Sequence, residues 1–344
     1  MKIAFAGSFA VRFVEAVQAR LSLPSAVVAG DESAIVRHLP DAEVLVSMGF
    51  TQAMAEAAPK LKLVQVPGAG LDRVDRSALR AGVHLANAYG HDAGIAEYIM
   101  GAMIALSRSF ARLDARLREG VWESQWAIGT PAPKLWPELA GKTLGILGFG
   151  HIGEALAKRA RAFDMRVCAI RSRAQETPPE GVDFIGGPER LDEVLRRTDH
   201  LAITLSLSPQ TRGLLDAAKL ALMKPGAFLI NVARAEIVDE DALYDALAGG
   251  RLGGAALDVW YRYPQVQGPA APAGREFHAL SNVIMTPHVS GWTEGMIEAR
   301  TRLIVDNIER VARGAAPLNA IPPLSSRAAR GIFPPTQDSS LRSE

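Results

Sequence analysis

The chain has 344 residues, which is too many for one ordinary hydrophobic core, so two domains are expected. Its 38 Lys and Arg residues nearly balance 37 Asp and Glu residues, and a formal charge of +1 argues against a nucleic-acid or membrane-surface partner. No apolar run approaches the ~20 residues of a membrane span, and the single Cys168 excludes a disulfide framework and a thiolate metal site. We therefore expect a cytoplasmic protein that binds small molecules and no metal.

The first part of the chain alternates short apolar runs with helix-like segments. The runs are KIAFAG (2–7), SAVVAG (25–30), EVLVSM (43–48), LKLVQV (61–66) and VHLAN (83–87). Near-continuous apolar strands separated by helices indicate a parallel sheet that is covered on both faces. A long helical pattern then runs from Ile95 to Arg118.

A second series of the same kind follows an irregular stretch that is rich in Pro, Gly and Trp. Its runs are TLGILG (143–148), MRVCAI (165–170), VDFIG (182–186), HLAITL (200–205), AFLINV (227–232), GGAALDV (253–259) and NVIMTP (282–287). The pattern predicts an α/β protein with two doubly wound parallel-sheet domains. The last helix, about Glu294–Arg313, is expected to return to the first domain, and the Pro/Ser/Arg-rich tail 322–344 is expected to be mobile.

The strongest single motif lies between a strand and an amphipathic helix of the second series. Gly148, Gly150 and Gly153 form G-x-G-x-x-G in the run TLGILGFGHIGEALAKRARAF. The first glycine permits a tight turn, the second lets the backbone approach a pyrophosphate, and the third lets helix and strand pack closely. The free N–H groups of the helix N-terminus would then face the phosphates. The motif predicts a dinucleotide site.

The next strand, MRVCAI, ends at Arg171, Ser172 and Arg173. An NAD-selective site normally carries an acidic residue here for the ribose 2′-hydroxyl, whereas a 2′-phosphate needs positive charge and hydroxyl groups. The two arginines and the serine therefore favour NADP(H) over NAD(H), with a solvated basic loop as the alternative interpretation.

Several motifs in a fixed order carry a family resemblance. They are VPGAGLDRVD (66–75), GIAEY (94–98), GILGFGHIG (145–153), SPQTRGL (208–214), MKPGAFLINVARAEIVDEDAL (223–243), GGAALDVW (253–260) and NVIMTPHVSG (282–291). On these blocks, which cover about residues 60–310, the chain resembles the D-isomer-specific 2-hydroxyacid dehydrogenases. That family includes glyoxylate/hydroxypyruvate reductases and phosphoglycerate, formate and phosphite dehydrogenases.

The resemblance implies a Rossmann coenzyme domain, residues 104–291, inserted in a flavodoxin-like substrate domain made of residues 1–103 and 292–321, with the active site in the cleft. It also implies a homodimer in which the segment around 118–139 is an arm. That segment carries Trp122, Trp126 and Trp136, for which ordinary packing within the chain is the alternative.

The resemblance assigns a role to particular residues. Arg234 matches the arginine that grips the substrate carboxylate and polarises the carbonyl, although Ala235 replaces the usual following glycine. His288 matches the general acid/base, which delivers a proton in reduction and removes one in oxidation. Backbone N–H groups of Ala69 and Gly70 match the carboxylate cradle, and His91 is a candidate for shaping the substrate pocket, with an ordinary loop histidine as the alternative.

The candidate cofactor residues, from the glycine motif, the loop after MRVCAI and the resemblance together, lie mostly at strand ends of the second series. They are Gly148, Gly150, His151, Ile152, Gly153, Arg171, Ser172, Arg173, Thr204, Leu205, Ser206, Val232, Ala233, Arg234, Asp258, His288, Ser290 and Gly291. Asp258 matches the aspartate beside the nicotinamide carboxamide.

One position departs from the family pattern. In most relatives a glutamate precedes the proline of this block and hydrogen-bonds the catalytic histidine, whereas this chain has Tyr263 before Pro264. A neutral phenol can orient the imidazole but cannot stabilise its charge in the same way. We therefore expect a lower His288 pKa than in relatives with the glutamate, unless a carboxylate from elsewhere, such as Glu276 or Glu294, replaces it.

The resemblance leaves three functions open. The first is a reductase of a 2-oxo acid that gives the D-2-hydroxy acid. The second is a formate- or phosphite-type dehydrogenase. His91 and Tyr263 argue against the formate reaction, because formate dehydrogenases carry other residues at these two positions. The third is a dinucleotide-sensing corepressor on the same fold, which would need neither Arg234 nor His288.

Overall fold

The computed structural model describes residues 1–129, 135–172, 177–264, 266 and 268–322, and the predicted mobile tail lies almost wholly outside them. Within the described residues there are twelve strands: β1 Lys2–Ala6, β2 Ala26–Gly30, β3 Val44–Ser47, β4 Leu63–Gln65, β5 His84–Ala86, β6 Thr143–Leu147, β7 Arg166–Ile170, β8 Phe184–Gly186, β9 His200–Ile203, β10 Phe228–Asn231, β11 Gly254–Leu257 and β12 Val283–Met285. Each of the twelve apolar runs predicted from the sequence contains one of them.

The described residues also form ten α-helices: α1 Ser8–Val11, α2 Val14–Gln18, α3 Gln52–Ala57, α4 Asp92–Ser107, α5 Phe110–Arg118, α6 His151–Arg161, α7 Leu191–Arg197, α8 Ala217–Leu222, α9 Glu240–Ala248 and α10 Glu294–Ala312. Short 3-10 helices lie at Ala34–His38, Arg76–Ala78, Pro188–Arg190, Ala235–Ile237 and Phe277–Ala279. No helix of the described part combines the length and apolarity that crossing a membrane requires.

The first compact unit comprises residues 1–91 and the described residues after 291. Its five strands form a parallel sheet in the order β2-β1-β3-β4-β5. Alternate residues of each strand point to opposite faces, so Ile3 and Phe5 pack with Ile304 and Ile308 of α10, while Ala4 belongs to the other face. The last helix therefore completes the core of the first unit.

The second unit comprises residues 92–291, and its seven strands are also all parallel. They follow the order β8-β7-β6-β9-β10-β11-β12, which begins as the 3-2-1-4-5-6 order of the Rossmann fold. Buried cores on both faces explain why these strands read as continuous apolar runs. The strand order reverses between β6 and β9, and ligands of such sheets bind at this switch point.

The long helical pattern predicted over residues 95–118 is two helices. Ser109 has a left-handed backbone, with φ of 52°, and the chain turns there between α4 and α5. Helix α4 buries Ile95, Ile99 and Met103 in the core of the seven-stranded sheet. The boundary between the two units consequently lies between residues 91 and 92, twelve residues before the predicted boundary, which falls inside α4.

Candidate functional site

Each glycine of the G-x-G-x-x-G motif has a different environment at the end of β6. Gly148 has a φ of +105°, and a Cβ built on it would lie 2.5 Å from the backbone nitrogen of Leu205. A Cβ on Gly150 would meet no atom within 4 Å, so its backbone borders open space. A Cβ on Gly153 would lie 3.1 Å from the carbonyl oxygen of Gly148 and close to Phe149. A tight turn, an open approach and a close packing contact are the three properties of a pyrophosphate-binding turn.

The helix that follows this turn is not capped by a side chain. The side chains of Thr51, Asp216, Asp239 and Thr293 cap helices α3, α8, α9 and α10. Helix α6 has Gly150 at its N-cap position and no side-chain cap, as is also true of α1, α2, α5 and α7. His151 and Ile152 are the first two residues of α6, and the N-terminal end of a helix favours an anion. The donor set of the turn and of the first turn of α6 therefore fits a dinucleotide phosphate group.

The neighbouring strand ends complete this edge of the sheet. The Thr204 hydroxyl donates to the carbonyl of Gly148 at 2.8 Å, which ties the segment after β9 to the glycine turn. Val232 and Ala233 follow β10 and are buried, and Ser206 is exposed. After β7, Arg171 is half-buried and Ser172 is exposed, and neither residue is acidic. Arg173 lies outside the described residues.

Arg234 extends from a turn that Asn231 organises. The Asn231 Oδ1 accepts from the N–H of Ala233 at 3.0 Å, and its Nδ2 donates to the carbonyl of Arg234 at 2.9 Å. The buried amide thus fixes both sides of the peptide segment that carries the guanidinium. The role of Asn231 was not foreseen from the sequence, although its place at the last position of β10 is a visible signal.

His288 is exposed and has a left-handed backbone with φ of 61°. The fully buried Asp258 carboxylate holds the two peptides after it, accepting from the N–H groups of Val289 at 2.8 Å and Ser290 at 2.9 Å. The hydroxyl of Thr286 also donates to Asp258 at 2.6 Å. Charge-assisted hydrogen bonds of this kind can offset the local cost of a left-handed residue.

A wider network supports Thr286. The indole N–H of Trp260 donates to the Thr286 carbonyl at 2.8 Å, and the Tyr98 hydroxyl lies 2.7 Å from the Thr286 hydroxyl. Burial raises the pKa of Tyr98, so that this phenol stays neutral in the physiological range. Sequence reasoning missed Thr286 and Tyr98, because residues so far apart in the chain reveal their contact only in the folded structure.

Tyr263 bonds directly to the histidine. Its hydroxyl oxygen lies 2.8 Å from His288 Nδ1, and the N–H of Trp260 donates to the same oxygen at 3.4 Å. Burial raises the pKa of Tyr263, and the nearby Arg234 charge opposes that shift, so the phenol is neutral at pH 7. A neutral phenol can donate to Nδ1 of a neutral imidazole or accept from Nδ1–H of an imidazolium. Tyr263 and His288 thus form a hydrogen-bonded pair, and the charge of Arg234 acts on Tyr263 from nearby.

The first unit contains the loop with Gly68, Ala69 and Gly70, which follows β4. The N–H of Ala88 donates to the carbonyl of Gly68 at 3.0 Å, and Asn87 Nδ2 donates to the carbonyl of Ala69 at 2.9 Å.

His91 is half-buried and directly precedes α4. Gly291 is the last residue of the second unit and follows the buried Ser290. Among the described residues, no group of three or more His, Cys, Asp or Glu side chains could hold a metal ion.

Known proteins are similar to this chain in both sequence and fold. The family profile of the D-isomer specific 2-hydroxyacid dehydrogenase NAD binding domain matches residues 100–290. A hydroxypyruvate reductase of Thermotoga maritima is 34% identical over 288 residues, which cover 82% of this chain and 87% of that protein. A glyoxylate reductase of Pyrococcus furiosus is 33% identical over 290 residues, covering 82% of this chain and 83% of the relative.

Solved structures agree with these matches. A 2-hydroxyacid dehydrogenase from Ketogulonicigenium vulgare Y25 superposes with a TM-score of 0.76 at 28% identity, covering 93% of this chain and 98% of the other. The two-domain parallel-sheet fold, the nicotinamide-binding domain and the order of the motifs all lead to one assignment. The chain belongs to the D-isomer-specific 2-hydroxyacid dehydrogenase family of oxidoreductases.

Proposed function

We propose that the protein catalyses reversible hydride transfer between a nicotinamide cofactor and a 2-oxo acid, with the D-2-hydroxy acid as the reduced product. The observation that carries this proposal is the exposed His288 with a phenol bonded to its Nδ1 at 2.8 Å. Arg234 follows β10 and His288 follows β12, and these parallel strands flank β11, so both residues lie at the same edge of the sheet. A proton donor beside a guanidinium is what the reduction of a carbonyl next to a carboxylate requires.

The roles of the residues follow from the charges that the reaction develops. When bound, the nicotinamide donates a hydride to the C2 carbon of the 2-oxo acid or accepts it back. Arg234 binds the carboxylate and polarises the carbonyl. The N–H groups of Ala69 and Gly70 are the candidates that the family resemblance implies for carboxylate binding in the first unit. As negative charge grows on the carbonyl oxygen, His288 delivers its proton there. In oxidation the neutral imidazole removes the hydroxyl proton, so atoms and charge balance in both directions.

We propose NADP(H) as the preferred cofactor over NAD(H). A basic side chain and a hydroxyl group, Arg171 and Ser172, follow β7 where an acidic residue would select a ribose 2′-hydroxyl. The comparison is kcat/KM with NADPH against kcat/KM with NADH for one substrate. A clear advantage of NADH would contradict this assignment.

We propose a homodimer in which the segment around Trp122 and Trp126 contacts a second copy. These side chains are 60% and 83% exposed in the single chain, and Phe110 and Leu117 of α5 are also more than half exposed. Such a concentration of large exposed apolar groups is unusual for a monomer's surface. Light scattering of the wild type and of a Trp122→Ser, Trp126→Ser double variant tests it, with a dimeric wild type and a monomeric variant expected.

The decisive experiment on function is a turnover panel. It measures NADPH and NADH oxidation with glyoxylate, hydroxypyruvate, pyruvate and bulkier 2-oxo acids, and reduction of the oxidised cofactors with formate and phosphite. We expect turnover of 2-oxo acids, and its loss by at least about a thousandfold in His288→Asn and Arg234→Gln variants that still bind cofactor. His278→Asn, at another exposed histidine, is the matched control. Cofactor binding without any turnover would support a sensor instead.

A further inference from the structure

The loop after β4 and the segment after β5 lie side by side in the first unit. Strands β4 and β5 are parallel neighbours, with Gln65 opposite Ala86, so their carboxyl ends meet at the same edge of the sheet. The loop leaves β4 as Val66-Pro67-Gly68-Ala69-Gly70, and the segment leaves β5 as Asn87-Ala88. Contacts between the two therefore determine how the loop's peptide groups are oriented.

Two consecutive carbonyl groups of the loop are held by that segment. Gly68 O accepts from the backbone N–H of Ala88 at 3.0 Å, and Ala69 O accepts from the side chain of Asn87 at 2.9 Å. In a trans peptide the C=O of one residue and the N–H of the next point in opposite directions. The N–H groups of Ala69 and Gly70 therefore both point away from the segment that anchors the carbonyls.

These two N–H groups are a candidate donor pair for an anion. Among the described residues, neither the N–H of Ala69 nor that of Gly70 donates to a protein acceptor. Successive amides that point the same way form a favourable site for an anion such as a carboxylate. The N–H of Ala69 is oriented by a main-chain bond, from Ala88 to the carbonyl of Gly68. The orientation of the Gly70 N–H depends on the side chain of Asn87, which holds the carbonyl of Ala69.

The burial of Asn87 is energetically unfavourable, because one of its polar atoms is desolvated without a hydrogen bond. Its side chain is 3% exposed, and Oδ1 is buried without a hydrogen-bond partner among the described residues. A buried acceptor without a partner loses its hydration without compensation, so its presence in a native structure calls for an explanation. The amide nitrogen, by contrast, has a well-formed bond to the loop.

We infer that Asn87 is a positioning residue for substrate binding: its amide nitrogen holds the carbonyl of Ala69 so that the N–H of Gly70 faces the substrate carboxylate. This inference rests on the proposed function, because it concerns the same carboxylate. Asn87 itself touches no reacting atom. Its effect is therefore confined to the binding of the acid, and the binding of the dinucleotide in the second unit is unchanged.

The test uses two substitutions of similar size, Asn87→Leu and Asn87→Asp, in the full-length protein. Leucine removes both the donor and the unpartnered acceptor, and aspartate replaces the donor with a charged acceptor. We measure KM and kcat for the 2-oxo acid that is turned over best, the inhibition constant of oxalate, the cofactor Kd and Tm. Oxalate is an unreactive dianion, so its inhibition constant reports carboxylate binding without turnover.

We expect KM and the oxalate inhibition constant to rise about tenfold in Asn87→Leu, which corresponds to the loss of one oriented hydrogen bond, and further in Asn87→Asp. The change in kcat is smaller and the cofactor Kd is unchanged. Tm of Asn87→Leu should change little, because loss of the bond to the Ala69 carbonyl is offset by removal of the unpartnered buried oxygen. Asn282→Leu removes an asparagine that donates to the carbonyl of Leu247 in the second unit, and it should leave the oxalate constant unchanged.

Other outcomes overturn the inference in distinguishable ways. Unchanged KM and oxalate constants in both Asn87 variants, with both raised in Arg234→Gln, would refute the role of Asn87 and leave the proposed function standing. Unchanged values in all three variants would refute the proposed function as well. A rise in cofactor Kd that matches the rise in KM, or unfolding of both Asn87 variants, would show a general structural role and contradict the inference.

Discussion

Replacing Tyr263 with glutamate exchanges a neutral hydrogen-bond partner of His288 for a charged one. The phenol oxygen lies 2.8 Å from Nδ1, and burial raises the Tyr263 pKa, so the wild-type side chain supplies no negative charge in any assay near neutrality. A carboxylate at this position favours imidazolium over imidazole. The reductive direction needs the imidazolium, so the substitution should preserve reduction at higher pH.

The size of the effect follows from distance and exposure. Glutamate is shorter than tyrosine, so a separation of roughly 4 Å between the carboxylate and the imidazolium is realistic. At that distance two unit charges attract by about 4 kcal/mol at an effective dielectric constant of ~20 and by about 1 kcal/mol in water. Tyr263 is 46% exposed and His288 is exposed, which favours the lower end of this range. We expect about 1–2 kcal/mol, or a shift of about one pH unit.

The assay is the pH dependence of reductive kcat/KM for the wild type, Tyr263→Glu and Tyr263→Phe. The midpoint of the fall in rate should move upward by about one unit in the glutamate variant. In the phenylalanine variant the rate should drop with little change of midpoint, because a neutral group replaces a neutral group. Tyr261→Phe is the matched control, since its hydroxyl donates to the carbonyl of Val238 instead.

Two results would refute this reasoning. If the glutamate variant has the wild-type midpoint, the side chain at 263 does not control the charge of His288. If Glu276→Gln or Glu294→Gln lowers the wild-type midpoint, a carboxylate from another position already supplies the charge that Tyr263 lacks.

Three further predictions test the cofactor turn, the aspartate and the fold. Gly150→Ala should keep the wild-type Tm, because its Cβ meets open space, yet raise the cofactor Kd by about tenfold or more in fluorescence titrations, whereas Gly148→Ala should also lower Tm. Asp258→Asn should lower kcat by about a hundredfold, because an amide nitrogen would face N–H groups of the His288 segment. Burial lowers the pKa of His200 to about 4, so the unfolded chain binds the extra proton and the free energy of unfolding should fall by about 3 kcal/mol from pH 6.5 to 4. Urea titrations of His200→Leu should lack that loss, and an equal loss in the variant would contradict the assignment.

The strands and the nucleotide-binding turn were the most predictable features. Continuous apolar runs such as TLGILG have few folding alternatives when buried on both faces, so all twelve strands could be located. The break between α4 and α5 could not, because Ser109 adopts a left-handed conformation that is usually signalled by glycine. The sequence pattern continued through a point where the backbone turns.

The supporting side chains were the least predictable. Tyr263 could be placed opposite His288, because the family pattern fixes its position relative to Asp258 and Pro264. Thr286, Asn231 and Asn87 act through hydrogen bonds to backbone groups whose orientation exists only after the sheets have formed. Such contacts have no period and no fixed spacing, so composition and motif matching do not reveal them.

The left-handed backbone of His288 restricts which substitutions can isolate its chemistry. Asparagine tolerates this conformation, as histidine does, whereas a β-branched residue does not. A valine or isoleucine at 288 would rotate the following peptides away from Asp258 and leave that buried carboxylate without two of its donors. Loss of activity in such a variant would have two causes, the missing proton donor and the displaced loop. Only a replacement that keeps the left-handed backbone conformation at position 288 separates the two effects.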